Sequence, residues 1–179
     1  MLGRKESALL VIDVQGRLHE IMSDREQLDR SLIQLINGAK LLDMPIIVTE
    51  QLPEKLGRTN QPFRALLEDV AVIEKSTFSC CGEPAFMEKL RQIKKRQLLL
   101  VGIETHVCIY QTAMDLLGEG YDVVVAADAV SSRSSENKRL ALDALRSAGA
   151  TILPAESILF ALLKDAADPR FRDLLGLIK

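Results

Sequence analysis

Three residues that could cooperate in catalysis each follow a short apolar run of the sequence: Asp13, Lys75 and Cys108. A carboxylate can act as a general base, an ammonium group favours nearby negative charge, and a thiol can attack a carbonyl carbon. If the apolar runs are parallel strands of one sheet, the three groups meet at one edge. The sequence therefore indicates nucleophilic chemistry at that edge.

Cys108 is the most informative of the three, because it lies at the predicted start of a helix that extends to about Gly118. A helix N-terminus favours negative charge, so this position predicts a lowered thiol pKa. The unpaired N–H groups of the same turn could hold an oxyanion. Structural alternatives remain open: Cys108 as a small core residue, Asp13 as a loop or helix-capping acceptor, and Lys75 as a surface charge.

The other cysteines and the two histidines fit structural roles better. Cys80 and Cys81 lie in a predicted loop, where they would fill a gap in the packing or belong to a lid. His106 has no second ligand at i+4, so a loop or capping role is favoured over metal binding. For His19, a structural role is favoured over a place in the same cleft as Cys108. No metal site is predicted.

Short apolar, β-branched runs alternate with segments of helical periodicity, and near-continuous apolarity is typical of strands buried on both faces. The predicted strands are Ala8–Val14, Pro45–Thr49, Val70–Glu74, Leu98–Gly102, Val123–Ala127 and Ala150–Leu153. The predicted helices are Arg25–Leu42, Pro84–Arg96, Val107–Gly118, Ser135–Ala148, Glu156–Lys164 and Pro169–Ile178. Because it contains Pro53, Gly57 and Pro62, the segment 51–64 is predicted to be a long loop with room for a short helix.

This alternation predicts one domain over residues 1–179, with an α/β fold in three layers. The fold is doubly wound around a six-stranded parallel sheet in a Rossmann-like strand order, with right-handed crossovers. In such sheets the reactive groups collect at the carboxyl ends of the strands.

Composition excludes several other classes of protein. The 179 residues include 23 Lys+Arg and 25 Asp+Glu, for a net charge of −2, which argues against a nucleic-acid partner. Three cysteines without a CxxC pair argue against a disulfide framework and indicate a reducing compartment. No apolar run reaches the roughly 20 residues that span a bilayer, and no targeting segment is apparent. A cytoplasmic location without a membrane partner is expected.

Other strand-end chemistries fit the sequence less well. The dinucleotide fingerprint G-x-G-x-x-G and the phosphate loop G-x-x-x-x-G-K-[ST] are both absent. Receiver domains and aspartate-nucleophile phosphatases pair a strand-end acid with a lysine, but they need a second acid for Mg²⁺, which is missing two residues after Asp13. None of these alternatives explains Cys108.

The strand-end segments resemble the isochorismatase-like cysteine hydrolases, the superfamily that includes nicotinamidases and N-carbamoylsarcosine amidohydrolases. The matching segments, in the expected order, are Ala8–Gln15, Glu74–Phe78, Val101–Ala113 and Val125–Arg133. Within the superfamily the chain is most similar to short members of unassigned substrate. The resemblance implies an isochorismatase-like fold and a triad of Asp13, Lys75 and Cys108.

The resemblance also implies a cis peptide at Ile103–Glu104, which would turn backbone N–H groups, including that of Cys108, toward a substrate oxygen. Metal-dependent nicotinamidases carry an Asp-x-His element after the second strand, whereas this chain has the histidine-free segment Thr49–Pro53. That difference argues against bound Zn²⁺ or Fe²⁺ and against nicotinamide. Isochorismatases proper lack the cysteine, so Cys108 argues against isochorismate. No cofactor is expected.

The sequence thus predicts a hydrolase that cleaves an amide-type C–N bond of a small molecule through a thioester on Cys108. Candidates for its substrate pocket are Gln15, Gln51, Phe78 and Tyr110. One alternative is a non-catalytic binding or scaffold protein that retains the triad. The other is a thiol-redox protein in which Cys108 forms a sulfenic acid and Cys80 or Cys81 supplies the resolving thiol.

The apolar segments 158–163 and 171–178 offer more apolar surface than a single helix face needs. Small members of the resembled family commonly form dimers or larger rings. A homo-oligomer, dimer or larger, is therefore expected.

Overall fold

A central parallel sheet organises the computed structural model, which describes residues 2–179. Within that range six strands pair in the order β3-β2-β1-β4-β5-β6, every pair parallel. The strands are β1 (Ser7–Ile12), β2 (Ile46–Gln51), β3 (Val72–Lys75), β4 (Gln97–Ile103), β5 (Asp122–Ser131) and β6 (Thr151–Leu153). This arrangement confirms the predicted fold class, an α/β doubly wound sheet with a Rossmann-like order.

Helices cover both faces of the sheet. They are α1 (Gly16–Glu20), α2 (Arg25–Leu41), α3 (Pro53–Leu56), α4 (Phe63–Leu66), α5 (Pro84–Ile93), α6 (Tyr110–Gly118), α7 (Ser135–Ser147), α8 (Ala155–Leu163) and α9 (Phe171–Ile178). A 3₁₀ turn, Cys80–Gly82, precedes α5, and one turn of π-helix, Thr105–Ile109, precedes α6.

The core lies in two layers because alternate residues of each strand point to opposite faces. In β1, Leu9 and Val11 pack into the layer that contains α2, α8 and α9. Leu10 and Ile12 pack into the layer that contains α5, α6 and α7. Since both faces are covered, the central strands β1 and β4 are apolar after their first residue, Ser7 or Gln97, and polar side chains appear again just beyond their carboxyl ends.

The structure differs from the sequence prediction mainly near the carboxyl edge of the sheet. β5 extends to Ser131 rather than ending at Ala127, and its pairing with β4 shifts register between Leu100 and Gly102. The predicted loop 51–64 contains α3 and the start of α4, while α1 was not predicted. These helices are only four or five residues long, too short for a hydrophobic period to be recognised.

None of the helices within residues 2–179 combines the length and the apolar character that crossing a membrane requires.

Close packing of β4 against β1 predicts that Gly102→Ala destabilises the fold. Gly102 has φ +120°, and a Cβ there would lie 2.0 Å from the carbonyl oxygen of Ile12. We expect the free energy of unfolding to fall by about 2 kcal/mol or more, measured by urea denaturation. Gly118→Ala is the matched control, because a Cβ at Gly118 meets no atom within 4 Å. Equal stabilities of the two variants would contradict this packing.

Candidate active site

The strand order brings the three sequence-predicted residues to one edge of the sheet. Asp13 follows β1, Lys75 ends β3, and Cys108 lies in the π-helical turn after β4. Their exposed fractions are 2% for Asp13, 3% for Lys75 and 7% for Cys108. Asp13 and Cys108 both line a small cavity of about 90 Å³. The site is therefore shielded from bulk water.

Asp13 is fixed by contacts to both carboxylate oxygens. The hydroxyl of Thr49, on β2, donates a hydrogen bond of 2.7 Å to Oδ1. Lys75 Nζ lies 2.7 Å from Oδ2. The backbone of Asp13 is left-handed, with φ 54°, a conformation that aspartate adopts more readily than most residues. The carboxylate is thus oriented by a residue of β2, which pairs with β1, and by the last residue of β3, which pairs with β2.

Lys75 is held by further acceptors around its ammonium group. It donates to Gln51 Oε1 at 2.6 Å and to the carbonyl oxygens of Thr77 and Phe78 at 3.1 and 3.2 Å. Burial lowers the pKa of Lys75, but the negative charge of Asp13 and of the nearby thiols when ionised outweighs burial and raises that pKa above its usual value. Lys75 therefore stays positively charged at neutral pH.

The Cys108 thiol differs from the sequence prediction in its acidity. Burial raises the pKa of Cys108 to about 12, with Asp13 adding to the rise by its charge and by accepting the thiol hydrogen bond, while Lys75 opposes it. The prediction of a lowered pKa was wrong because it considered the helix N-terminus and not the loss of water around the sulfur. In the resting protein the thiol is protonated and faces a carboxylate that can take its proton.

The segment just before Cys108 has an unusual backbone. The Ile103–Glu104 peptide bond is cis, at the position that the family resemblance implies. The N–H groups of Val107 and Ile109 both donate to the Glu104 carbonyl oxygen, at 3.1 and 3.2 Å. These bonds fold the chain into the π-helical turn that turns Cys108 toward the cavity, so the predicted helix begins earlier, and in a different form, than at Val107.

The side chain of Glu104 also lines the cavity, and it is neutralised from outside. Arg133 donates to Glu104 Oε1 through Nε at 3.0 Å and to Oε2 at 3.4 Å. Glu104 is 7% exposed, whereas the Arg133 side chain is 58% exposed. Arg133 thus covers a buried carboxylate while remaining in contact with water.

The predicted pocket residues have different placements. Three of them line the cavity: Gln15, Gln51 and Phe78. Tyr110 is not among the described residues that line it. As the first residue of α6, it packs instead against the core layer between the sheet and α5, α6 and α7. The Gln15 amide donates to the carbonyl oxygens of Gln51 and Gly57 and accepts from the N–H of Gln51. The amides of both glutamines therefore fix the loop around the site.

Cys80 lies closer to the site than its predicted loop position suggests. It is fully buried, its sulfur is 3.9 Å from Thr49 Oγ1, and burial raises its pKa to about 11. Cys80 and Cys108 belong to the same buried cluster of the core, and a negative charge on Cys80 would raise the pKa of Cys108. Cys81 is half-buried and, again through burial, has a pKa raised to about 12.

Both histidines have structural partners. His19 Nε2 lies 2.6 Å from Asp29 Oδ1, and its ring meets that of Phe63 edge to face. His106 Nδ1 lies 2.9 Å from Ser132 Oγ, and the residue belongs to the π-helical turn rather than to a loop. Neither is among the residues that line the cavity. Within residues 2–179, no three His, Cys, Asp or Glu side chains are gathered so that they could hold a metal ion.

The sequence did not reveal the residues that shape or orient the site without taking part in the chemistry. Thr49 orients Asp13, and Leu18, Leu56 and Val107 line the cavity as apolar walls. The sequence signal for Thr49 is weak: a polar residue in a buried strand, next to the end of β1 in the sheet. Apolar wall residues carry no signal that separates them from core residues.

A wider cleft lies elsewhere, along the N-terminal end of α2 and the middle of β5. It measures about 820 Å³ and is lined mainly by charged side chains, among them Asp24, Arg30 and Lys138. It contains no cysteine and no buried acid beside a buried amine, so the chemistry expected from sequence belongs to the smaller cavity.

The cause of the raised thiol pKa predicts that Asp13→Asn makes Cys108 more reactive toward iodoacetamide. Removing the carboxylate charge removes a cause that raises the pKa of Cys108 and leaves Lys75, which lowers it. At pH 9 we expect alkylation of Cys108 to become roughly tenfold faster or more, followed by peptide mass spectrometry. Asp143→Asn, on the exposed side of α7, is the control. A wild-type rate that already reaches a plateau below pH 8 would contradict the raised pKa.

Comparison with known proteins places this arrangement in a family. The family model described as the isochorismatase domain matches residues 7–157. The secreted isochorismatase effector Isc1 of Phytophthora sojae is 39% identical over 99% of this chain and 88% of its own length. Isochorismatase domain-containing protein 2 of Xenopus laevis is 38% identical, covering 99% of this chain and 85% of its own.

A solved structure from another organism is similar to this chain in both fold and sequence. The chain titled MAR1 ribonuclease from Caenorhabditis elegans superposes with a TM-score of 0.90 at 35% identity, covering 99% of this chain and 91% of its own. Family membership supports hydrolase activity. From the family model, the relatives and the shared fold, this chain belongs to the isochorismatase family.

Proposed function

We propose that this protein is a cysteine hydrolase that cleaves an amide-type C–N bond of a small molecule. The observation that carries the proposal is that a buried acid and a buried thiol, Asp13 and Cys108, line one cavity, with the buried amine of Lys75 2.7 Å from Asp13 Oδ2. Perturbed titratable groups in a cleft are typical of active sites. Family membership supports the hydrolase class.

In the first half of the reaction, Asp13 takes the proton from the Cys108 thiol as the sulfur attacks the carbonyl carbon. A C–S bond forms, and the electron pair of the C=O double bond moves onto oxygen. When the tetrahedral intermediate collapses, the C–N bond breaks and the nitrogen takes the proton from Asp13. Ammonia or a small amine leaves, and the acyl group remains on Cys108 as a thioester.

In the second half, a water molecule gives one proton to Asp13 and attacks the thioester carbon. The C–S bond breaks, a carboxylic acid is released, and the sulfur recovers its proton from Asp13. Lys75 keeps its proton throughout and stabilises the carboxylate and the developing thiolate. Because the raised pKa keeps the Cys108 thiol protonated at neutral pH, its proton must pass to a base as the sulfur attacks.

We propose that the backbone N–H group of Cys108, with the Ile103–Glu104 peptide beside it, donates a hydrogen bond to the negatively charged oxygen of the tetrahedral intermediate. The N–H groups of Val107 and Ile109 are already bonded to the Glu104 carbonyl oxygen, so they do not serve. A donor that faces developing negative charge in a site without water stabilises the transition state strongly.

Two features favour a small amide over RNA, although the C. elegans relative is titled a ribonuclease. The net charge is −2, and the cavity beside Cys108 is only about 90 Å³.

Within residues 2–179 the cysteines are all free, which fits the proposed reducing, cytoplasmic location. The Phytophthora relative is described as secreted, so this location stays a proposal.

A thiol-redox role is the second candidate, and it is favoured by the presence of Cys80 in the same buried cluster as Cys108. Intact mass after mild peroxide separates the two roles: a disulfide that forms between these cysteines at physiological peroxide levels supports the redox role. A scaffold role without turnover predicts no ammonia release from any amide.

The proposed mechanism predicts that Cys108→Ala abolishes ammonia release from a panel of small amides. The loss should be at least about 1,000-fold, because both nucleophilic and acid–base catalysis depend on the thiol. Urea denaturation should show little loss of stability. Cys81→Ala, which removes a half-buried thiol outside the cavity, is the matched control. Full amidase activity in Cys108→Ala would contradict the mechanism.

We also propose that the protein forms homo-oligomers. Most of the C-terminal apolar surface is used within the chain, since Ile158, Leu162 and Leu174 are buried in the core. The exposed apolar side chains lie elsewhere, at Ile21, Val72, Met114 and Leu140, and at the cavity mouth. Light scattering should therefore give a mass of at least a dimer, and a monomer at micromolar concentration would contradict this proposal.

A further inference from the structure

We infer that the substrate amide carries a small, uncharged acyl group. The inference rests on the proposed amidase function and deepens it, because it names the chemical class that the site accepts. It derives from three properties of the cavity beside Cys108: its volume, the commitment of its polar side chains, and the pairing of its charges.

The first property is size. The cavity measures about 90 Å³, well below the roughly 300–1,000 Å³ of pockets that hold drug-sized ligands. Leu18, Ile103 and Val107 form apolar walls, and Leu56 and Phe78 complete them at the mouth, where they are 38% and 55% exposed. A cavity this far below the size of drug-binding pockets suits an acyl group of only a few non-hydrogen atoms.

The second property is that the amide side chains in the wall are already used. Gln15 donates both of its hydrogen bonds to backbone carbonyl oxygens and accepts one from the N–H of Gln51. The Gln51 amide donates to the carbonyl oxygen of Ser76 and accepts from Lys75. A polar substituent on the substrate would have to break a bond of Gln15 or compete for the second N–H of the Gln51 amide to find a donor in this wall.

The third property is that each ionised wall residue has its own partner. Asp13 is paired with Lys75, and Glu104 is paired with Arg133. The apolar positions between these pairs supply no charge. A substrate with a carboxylate or an ammonium group would therefore lose its hydration without gaining an opposite charge, which is strongly unfavourable.

Two pairs of amides, matched in their number of non-hydrogen atoms, test the inference by ammonia release. Propionamide is compared with glycinamide, which carries an ammonium group, and isovaleramide with malonamate, which carries a carboxylate. We expect kcat/KM for the neutral member of each pair to be at least about 100-fold higher. Hexanamide, too long for the cavity, should be cleaved at least about tenfold more slowly than propionamide.

A substitution at the cavity mouth tests the role of charge. Leu56→Arg adds a cation without a partner at a position that is already 38% exposed, so the guanidinium can remain partly hydrated. We expect the ratio of malonamate to isovaleramide cleavage to rise at least about tenfold. Leu140→Arg, on α7 and 52% exposed, is the matched control and should leave that ratio unchanged.

The outcomes separate this inference from the function on which it rests. If malonamate, glycinamide or hexanamide is cleaved as well as its neutral or shorter partner, and Cys108→Ala abolishes that cleavage, the inference is overturned and the amidase proposal stands. If no amide, charged or neutral, releases ammonia in a reaction that depends on Cys108, both are overturned.

Discussion

The buried ion pair between Lys75 and Asp13 is the interaction on which the candidate site depends. Neither charge is tolerable alone at 3% exposure or less, and removing one partner would leave the other uncompensated in the interior. The remaining bonds of both residues follow from this pair: Thr49 satisfies the second carboxylate oxygen, and Gln51 and two backbone carbonyl oxygens satisfy the ammonium group. The ends of β1, β2 and β3 are thereby joined through polar contacts.

The parallel sheet is what makes such a pair possible. Strands that run in the same direction and are covered on both faces must be apolar along their length, so charged groups collect beyond their carboxyl ends. The carboxyl ends of β1 and β4 are adjacent, which brings Asp13 next to the turn that carries Cys108. The close approach of these strands at Gly102 leaves no room for a side chain on that glycine.

Seclusion from water has two effects on the candidate site. It raises the pKa of the Cys108 thiol, which makes this candidate nucleophile weak at rest, and it strengthens every interaction among the charged groups nearby. A site built in this way needs a base at the thiol rather than a free thiolate, and Asp13 occupies that position. The same seclusion, with the charges already paired, leaves a small and mainly apolar space beside Cys108.

The sequence by itself determined the fold class, most of the strands and long helices, and the positions of the three candidate catalytic residues at the strand ends, because hydrophobic period and strand-end polarity are local properties. It could not determine the acidity of Cys108, the position of Cys80 beside Thr49, or the role of Arg133 in covering Glu104. Those depend on burial and on contacts between residues far apart in the chain. Tyr110 illustrates the limit: it lies two residues after the candidate nucleophile, yet the turn of the helix places it outside the cavity lining. Only the tertiary structure decides which side chains share a space, because that choice is made by packing between elements rather than by their sequence neighbours.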